Sequence, residues 1–161
     1  MKENNFHLRT AVTGDIAAII KMYQDTVRNV NAKDYSPAEI DVWAGGAENN
    51  ARWEAAIGEQ YFVIAEDSQS PGIIAGFASI AKDGYLDFMY VSKDHQRMGA
   101  ASMLLDEIEK KAREQNNKEI YSHVSKTAKG FFLRRGYEHV KDLNDPYRGV
   151  VFINALMVKK L

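Results

Sequence analysis

The stretch Leu86-Asp87-Phe88-Met89-Tyr90-Val91-Ser92-Lys93-Asp94-His95-Gln96-Arg97-Met98-Gly99-Ala100-Ala101-Ser102-Met103-Leu104-Leu105 combines residue types and spacing that can do chemistry. It reads as an apolar strand, a short polar loop and a helix that begins with small residues. Backbone N–H groups at a helix start have no intrahelical acceptor, and the macrodipole makes that end positive. Small side chains at Gly99, Ala100 and Ala101 let a bulky anion approach that backbone closely. The loop from Gln96 to Ala101 is therefore a candidate diphosphate cradle, with Arg97 available for a charge-assisted contact. The same run also serves as an ordinary helix start. It is not the G-x-G-x-x-G dinucleotide fingerprint, nor a P-loop, since no Gly-Lys-Ser/Thr follows.

Composition removes other chemistries. The count of cysteine is 0, which excludes thiolate nucleophiles, disulfides, cysteine-based zinc sites and iron–sulfur clusters. No metal centre is expected. The formal net charge of -1 supplies no global basic field for nucleic acid or an anionic membrane, so any anion must be held by local geometry.

The elements that position this loop follow from periodicity. At roughly 150 residues per domain, the chain reads as a single domain, 1–161. A strand at 6–9 precedes a helix opened by Thr13-Gly14-Asp15, with Ile16, Ile19, Ile20, Tyr23, Val27 and Val30 at helical spacing. Ser36-Pro37-Ala38-Glu39 is a capping box, and its helix stops at Gly45-Gly46. A short helix over 50–57 leads into strands at 61–66, 73–80 and 85–91, joined by two turns. A helix spans 99–115, followed by a strand at 119–123, a helix at 125–135 and strands at 137–140 and 150–158. The fold class is α+β, a mixed and mostly antiparallel sheet of about seven strands with helices on both faces. The N-terminus MKENNFHLRT has no apolar run behind its lysine, which predicts no signal peptide. No stretch approaches the ~20 apolar residues that cross a bilayer, so a cytoplasmic location is expected.

Gln96-Arg97-Met98-Gly99-Ala100-Ala101 matches the Gln/Arg-x-x-Gly-x-Gly/Ala acetyl-CoA motif, and here the sequence resembles the GCN5-related N-acetyltransferase (GNAT) family. Met89-Tyr90-Val91 resembles that family's Leu-Tyr-Val on its fourth strand. Ala128-Lys129-Gly130-Phe131-Phe132-Leu133-Arg134-Arg135-Gly136-Tyr137 resembles its later Ala-x-x-Phe-Tyr-x-x-x-Gly-Phe segment. Tyr35-Ser36-Pro37-Ala38-Glu39-Ile40 with Trp43, and the Phe131-Phe132 pair, are similar to a bacterial YafP-like subgroup.

The resemblance implies a central twisted sheet whose fourth and fifth strands splay, and acetyl transfer from acetyl-CoA to an amine. It places the pyrophosphate on Gln96, Arg97, Met98, Gly99, Ala100, Ala101 and Ser102. The pantetheine arm would lie on Met89, Tyr90 and Val91, with one backbone N–H as oxyanion donor. Ser125, Phe131, Phe132 and Arg134 complete the implied cofactor set, and Arg135 is a further candidate for the phosphates. A primary amine, with a pKa near ~10, must shed a proton before attack. Asp87, a charge inside an apolar strand, is the first candidate for that base or for the anchor of an activating water. It also reads as an exposed strand residue or a turn cap. His123 is the second candidate, because imidazole titrates near neutrality. The family's thiolate-protonating tyrosine falls at Phe132 and its asparagine at Ser125, so Ser125, Tyr121, Tyr90 or water must serve as acid, or the thiolate of CoA leaves unassisted. The acceptor pocket is expected at Tyr35 and Trp43, and at Tyr147 with Arg148 in a loop before the last strand.

The acceptor, a small-molecule or protein amine, would attack directly in a ternary complex, since an acyl-cysteine route has no cysteine. The alternative is a catalytically reduced CoA-binding sensor or partner module, motivated by Phe132. An exposed edge strand could also pair two copies as a homodimer.

Overall fold

Apolar runs with no polar alternation make strands that are covered on both faces. Strands β2 (Tyr61–Asp67) and β3 (Ile74–Ile80) are of this kind, and every residue of β3 is buried. In the computed structural model, which describes residues 5–161, they form the middle of a four-stranded antiparallel sheet. Residues 1–4, on which part of the N-terminal reading rests, lie outside the described residues. The edges of this sheet are β1 (Phe6–Thr10) and β4 (Leu86–Val91), in the order β1-β2-β3-β4. A second, three-stranded sheet has the order β5-β7-β6, with β5 at Glu119–Val124, β6 at Glu138–Tyr147 and β7 at Val150–Lys160.

Helices α1 (Ile16–Asn29), α2 (Pro37–Gly45) and α3 (Asn50–Glu59) cover one face, and α4 (Ala100–Glu114) covers the other. Two apolar clusters result. Leu104, Leu105 and Ile108 of α4 pack with Ala78, Ile80 and Ile120 on one side. Ile19, Trp53, Phe62, Phe77 and Phe88 pack on the other. Each fully buried Leu, Ile or Phe among them stabilises by about 1.5–3 kcal/mol. The capping box at Ser36 forms as the sequence predicts: its Oγ accepts from Glu39 N–H at 3.2 Å, and Glu39 Oε1 accepts from Ser36 N–H at 2.8 Å. No helix among the described residues is long and apolar enough to cross a membrane.

Several boundaries differ from the sequence reading. Helix α3 runs through Gly58 to Glu59. Helix α5 is only Lys129–Arg134, because Ser125 Oγ accepts from Ala128 N–H at 3.2 Å and holds the preceding residues in a turn. Strand β6 is the largest departure, continuing past residue 140 to Tyr147. It is exposed along nearly all of its length, so Lys141, Asp142, Asn144 and Asp145 show no apolar alternation. Its register with β7 holds it in place instead. Tyr147 therefore ends a strand, and Arg148-Gly149 is the hairpin turn, both at positive φ (47° and 82°).

The two sheets meet at one point. Tyr85 and Tyr121 form a parallel bridge, Tyr121 N–H donates to Gly84 C=O at 3.1 Å, and Ser122 Oγ donates to Leu86 C=O at 2.7 Å. Gly84 makes this approach possible: its φ is +94°, and a Cβ there would lie 2.6 Å from Glu119 C=O. Beyond this junction no ladder joins β4 to β5 among the described residues. The strands diverge and leave a cleft.

Candidate active site

Three features converge on that cleft: a bulge in β4, the open edge of β4 and the start of α4. In the β3–β4 register Ser79 faces Phe88 while Ile80 faces Leu86, so one step on β3 opposes two on β4 and Asp87 is the extra residue. Plain alternation would put Leu86 and Phe88 on one face. Here Leu86 joins the α4-side cluster and Phe88 the opposite one. A bulge re-aims side chains in this way, and it explains a carboxylate inside an apolar strand.

Past the bulge, antiparallel pairing points alternate backbone groups away from β3. Ser92 N–H donates to Ala75 C=O at 2.8 Å, which places the backbone of Val91, and of Met89 two residues earlier, toward the cleft. Val91 C=O is already used there, accepting from Gln96 Nε2 at 2.8 Å and Thr26 Oγ1 at 3.2 Å. The Gln96 side chain thus ties the loop to β4, and also donates to Ser92 C=O at 3.1 Å.

The loop before α4 leaves its backbone N–H groups open toward the cleft. Arg97 lies at φ 61° and Gly99 at φ 88°, and the first bond closing α4 is Met103 N–H to Gly99 C=O at 3.1 Å. Among the described residues, no backbone acceptor engages the N–H groups from Arg97 through Ser102. A left-handed arginine is sterically costly, and such strain concentrates at functional loops.

A cavity of about 770 Å³ begins at this loop and runs between β4 and β5. Arg97, Gly99, Ala100, Ala101, Ser102 and Gln96 line one end, with Arg134 supplying a second guanidinium. Met89, Tyr90, Val91, Ser125, Phe131 and Phe132 line the middle. Asp87, His123, Trp43 and Tyr147 also line it. Met98 is exposed and is not part of the wall. Tyr35 departs from its expected place: it is buried behind Trp43, ring centroids 5.1 Å apart, and its hydroxyl accepts from Lys126 N–H at 3.0 Å. Tyr121 lies outside the wall too, donating to Asp83 Oδ2 at 2.6 Å. Arg135 turns away from the cleft and pairs with Asp106.

Asp87 has its side chain 6% exposed and does not stand as a bare carboxylate. Arg52 Nη2 donates to its Oδ1 at 3.0 Å and Gln60 Nε2 to its Oδ2 at 2.9 Å. Neither partner carries a sequence signal, because both sit on or just after the short polar helix α3. His123 Nδ1 is 3.3 Å from Asp145 Oδ2, and Asn154 Nδ2 donates to that same oxygen at 2.8 Å. Asp145 escaped sequence reading because it lies in the part of β6 that shows no alternation. Burial, and then the nearby Asp87 carboxylate, push the Tyr85 phenol up to about 12, which keeps it neutral at the cavity wall.

Aromatic residues form the remaining wall. Trp43 Nε1 donates to Tyr23 OH at 2.6 Å, and Tyr23 lies 4.6 Å from Tyr90, ring to ring. Burial and the adjacent Tyr23 raise the Tyr90 hydroxyl well above the usual phenol range. The Tyr147 ring rests on Gly46, where a Cβ would meet its hydroxyl at 2.3 Å, so the β6–β7 hairpin closes over the α2–α3 junction.

This architecture has known counterparts. The family model described as "Acetyltransferase (GNAT) domain" matches residues 31–160. The uncharacterized N-acetyltransferase YafP of Escherichia coli (strain K12) is 30% identical over 155 residues, 96% of this chain and 95% of that protein. A GCN5-related N-acetyltransferase from Rhodopseudomonas palustris has a TM-score of 0.92 at 27% identity, covering 100% of this chain and 99% of that one. PaiA N-acetyltransferase from Thermoplasma acidophilum, solved in complex with coenzyme A, shares the fold at TM-score 0.78 and 19% identity, covering 97% and 99%. With a family model spanning most of its length and a relative alike from end to end, the chain belongs to the GNAT family of acetyltransferases.

Proposed function

We propose that the protein transfers the acetyl group of acetyl-CoA to a primary amine by direct attack within this cavity. One observation carries the reading: a single cleft joins unpaired N–H groups at the start of α4, the open backbone edge of β4 and the hydrogen-bonded carboxylate of Asp87. Those N–H groups, with Arg97 and Arg134, fit a diphosphate. The free backbone of Met89 and the N–H of Val91 fit the amides of a pantetheine arm, as an added strand would. Bound acetyl-CoA supplies an activated acyl group whose thiol, with a pKa near ~8.5, leaves with little assistance.

The chain's own residues have distinct roles in this reading. A β4 N–H facing the cleft stabilises the oxyanion, a contact worth about 2.7–4 kcal/mol in other acyl transfers. Asp87, with a donor on each oxygen, anchors the incoming amine or a water beside it. His123, oriented through Nδ1 by Asp145, offers Nε2 to take the amine proton. Phe132 supplies no hydroxyl, so the departing thiolate takes its proton from Ser125 or from solvent. Tyr23, Trp43, Tyr90 and Tyr147 shape an aromatic acceptor end.

The test is thiol release, read with a chromogenic thiol reagent, when acetyl-CoA is supplied with a panel of small amines and peptide N-termini. Turnover with at least one amine is the expected result. Phe132 also favours a second reading, a CoA-binding module without turnover; binding with no thiol release across the panel selects it.

A further inference from the structure

Asn31 lies on the turn after α1, lines the same cavity and is 6% exposed, yet its Oδ1 is buried without a hydrogen-bond partner. Folded proteins leave such oxygens unpaired only rarely, because the lost hydration is not recovered. Polar side chains on either side of it in the chain are engaged elsewhere. Thr26, on the last turn of α1, gives its hydroxyl to Val91 C=O at 3.2 Å. Just beyond Asn31, Asp34 Oδ2 accepts from Thr127 Oγ1 at 2.8 Å, and Tyr35 OH accepts from Lys126 N–H at 3.0 Å. The turn is thus pinned on both flanks, to β4 on one side and to the β5–α5 turn on the other. These ties fix the backbone on either side of Asn31, and so hold its carboxamide at the cavity wall where a bound donor can reach it.

We propose that Asn31 receives an amide N–H of the pantetheine arm, making it the side chain that reads the arm rather than the phosphates. The inference rests on the acetyl-CoA reading of the cavity. The ligand group is defined by what the site lacks: a neutral N–H donor on a flexible chain that passes the open edge of β4. A carboxamide matches an amide on both its faces, whereas the anion-binding loop from Arg97 to Ser102 discriminates only charge.

Calorimetric titration of CoA, and of 3′-phosphoadenosine 5′-diphosphate as the fragment without the arm, tests this on wild type, Asn31→Leu and Asn31→Ala. CoA is expected to bind about five- to tenfold more weakly to both variants. Fragment affinity should be unchanged, and the ligand-free melting temperature of Asn31→Leu equal to or above wild type. Should Asn31→Leu fail to fold, Asn31→Ala decides. Unchanged CoA affinity in the variants overturns the proposal, and so does parallel weakening of CoA and fragment, which would place Asn31 behind the phosphate loop. Wild type that binds the fragment as tightly as CoA overturns it while sparing the cradle. Wild type that binds neither overturns the underlying reading, and this assignment with it.

Discussion

Asp87 and His123 stand on β4 and β5, on the two sides of the cleft, and the proposed reaction gives them different work because their surroundings differ. Both Asp87 oxygens hold a donor, from Arg52 and Gln60, while His123 has one nitrogen on Asp145 and the other free for chemistry. Replacing Asp87 with asparagine keeps the shape, loses the charge beside Arg52 and turns one oxygen into a donor. In Asp87→Asn, KM for the amine is expected to rise at least ~10-fold, with CoA affinity unchanged. In His123→Gln, kcat is expected to fall by about 10²–10⁴ with a smaller change in KM, the loss typical of a missing general base. Steady-state kinetics with the amine varied at saturating acetyl-CoA separates the two. Equal losses of kcat in both variants with no change in KM would reverse the assignment. None of the second partners, Arg52, Gln60, Asp145 or Asn154, was legible in the sequence, since each acts through a contact between residues distant in the chain. The strand–loop–helix run from Leu86 to Leu105 was legible because it is local: helix start, small residues and strand lie within a single stretch.

At the scale of elements, the cleft exists because β4 and β5 meet at their first residues, through the Tyr85–Tyr121 bridge and the Ser122–Leu86 hydrogen bond, and then part. Gly84 is the hinge of that arrangement. A methyl group there meets Glu119 C=O at 2.6 Å and must also adopt φ +94°. Gly84→Ala is expected to lower stability by about 2–4 kcal/mol, from left-handed strain plus the steric contact. Chemical denaturation with an unchanged m-value checks it, and a loss under 0.5 kcal/mol, on the order of surface-substitution noise, would show that the junction yields easily. The strands and helices of the two apolar clusters follow the sequence periodicity to within a few residues. Strand β6 does not, because a strand exposed on nearly every residue is held by its register with β7, and pairing between strands leaves no local pattern. The part of the cavity wall that this hairpin supplies, Asp145, Tyr147, Phe152 and Asn154, was hidden for the same reason.

Among the described residues, Asp15, Glu39 and Asp67 are carboxylates whose partners lower their pKa and so make stability sensitive to acid. Arg9 donates to both oxygens of Asp15 at 2.8 Å, and this holds the Asp15 carboxyl below the ordinary range; Val12 N–H adds to it. Asp67 is lowered chiefly by its hydrogen bond with His95, and Glu39 by the capping box. A carboxyl with a folded pKa below its unfolded value contributes stability that is complete above the unfolded value. That contribution is lost as pH falls through the folded one. The melting temperature should therefore stay flat above about pH 5 and drop progressively below about pH 4. Asp15→Asn should flatten part of that drop, while lowering the plateau. Melts recorded from neutral to acid pH check this, and an acid limb of unchanged depth in Asp15→Asn would remove Asp15 from the account.

The central claim is that backbone N–H groups from Arg97 to Ser102 hold the phosphates of an acyl carrier, which calorimetric titration of acetyl-CoA into wild type and Gly99→Val tests most directly. A side chain at Gly99 must take φ 88°, a backbone conformation that L residues rarely adopt, so it strains the loop. The account predicts saturable heat with wild type and none with a folded Gly99→Val. Absence of heat with wild type at millimolar acetyl-CoA, or equal affinity in the two proteins, would contradict it.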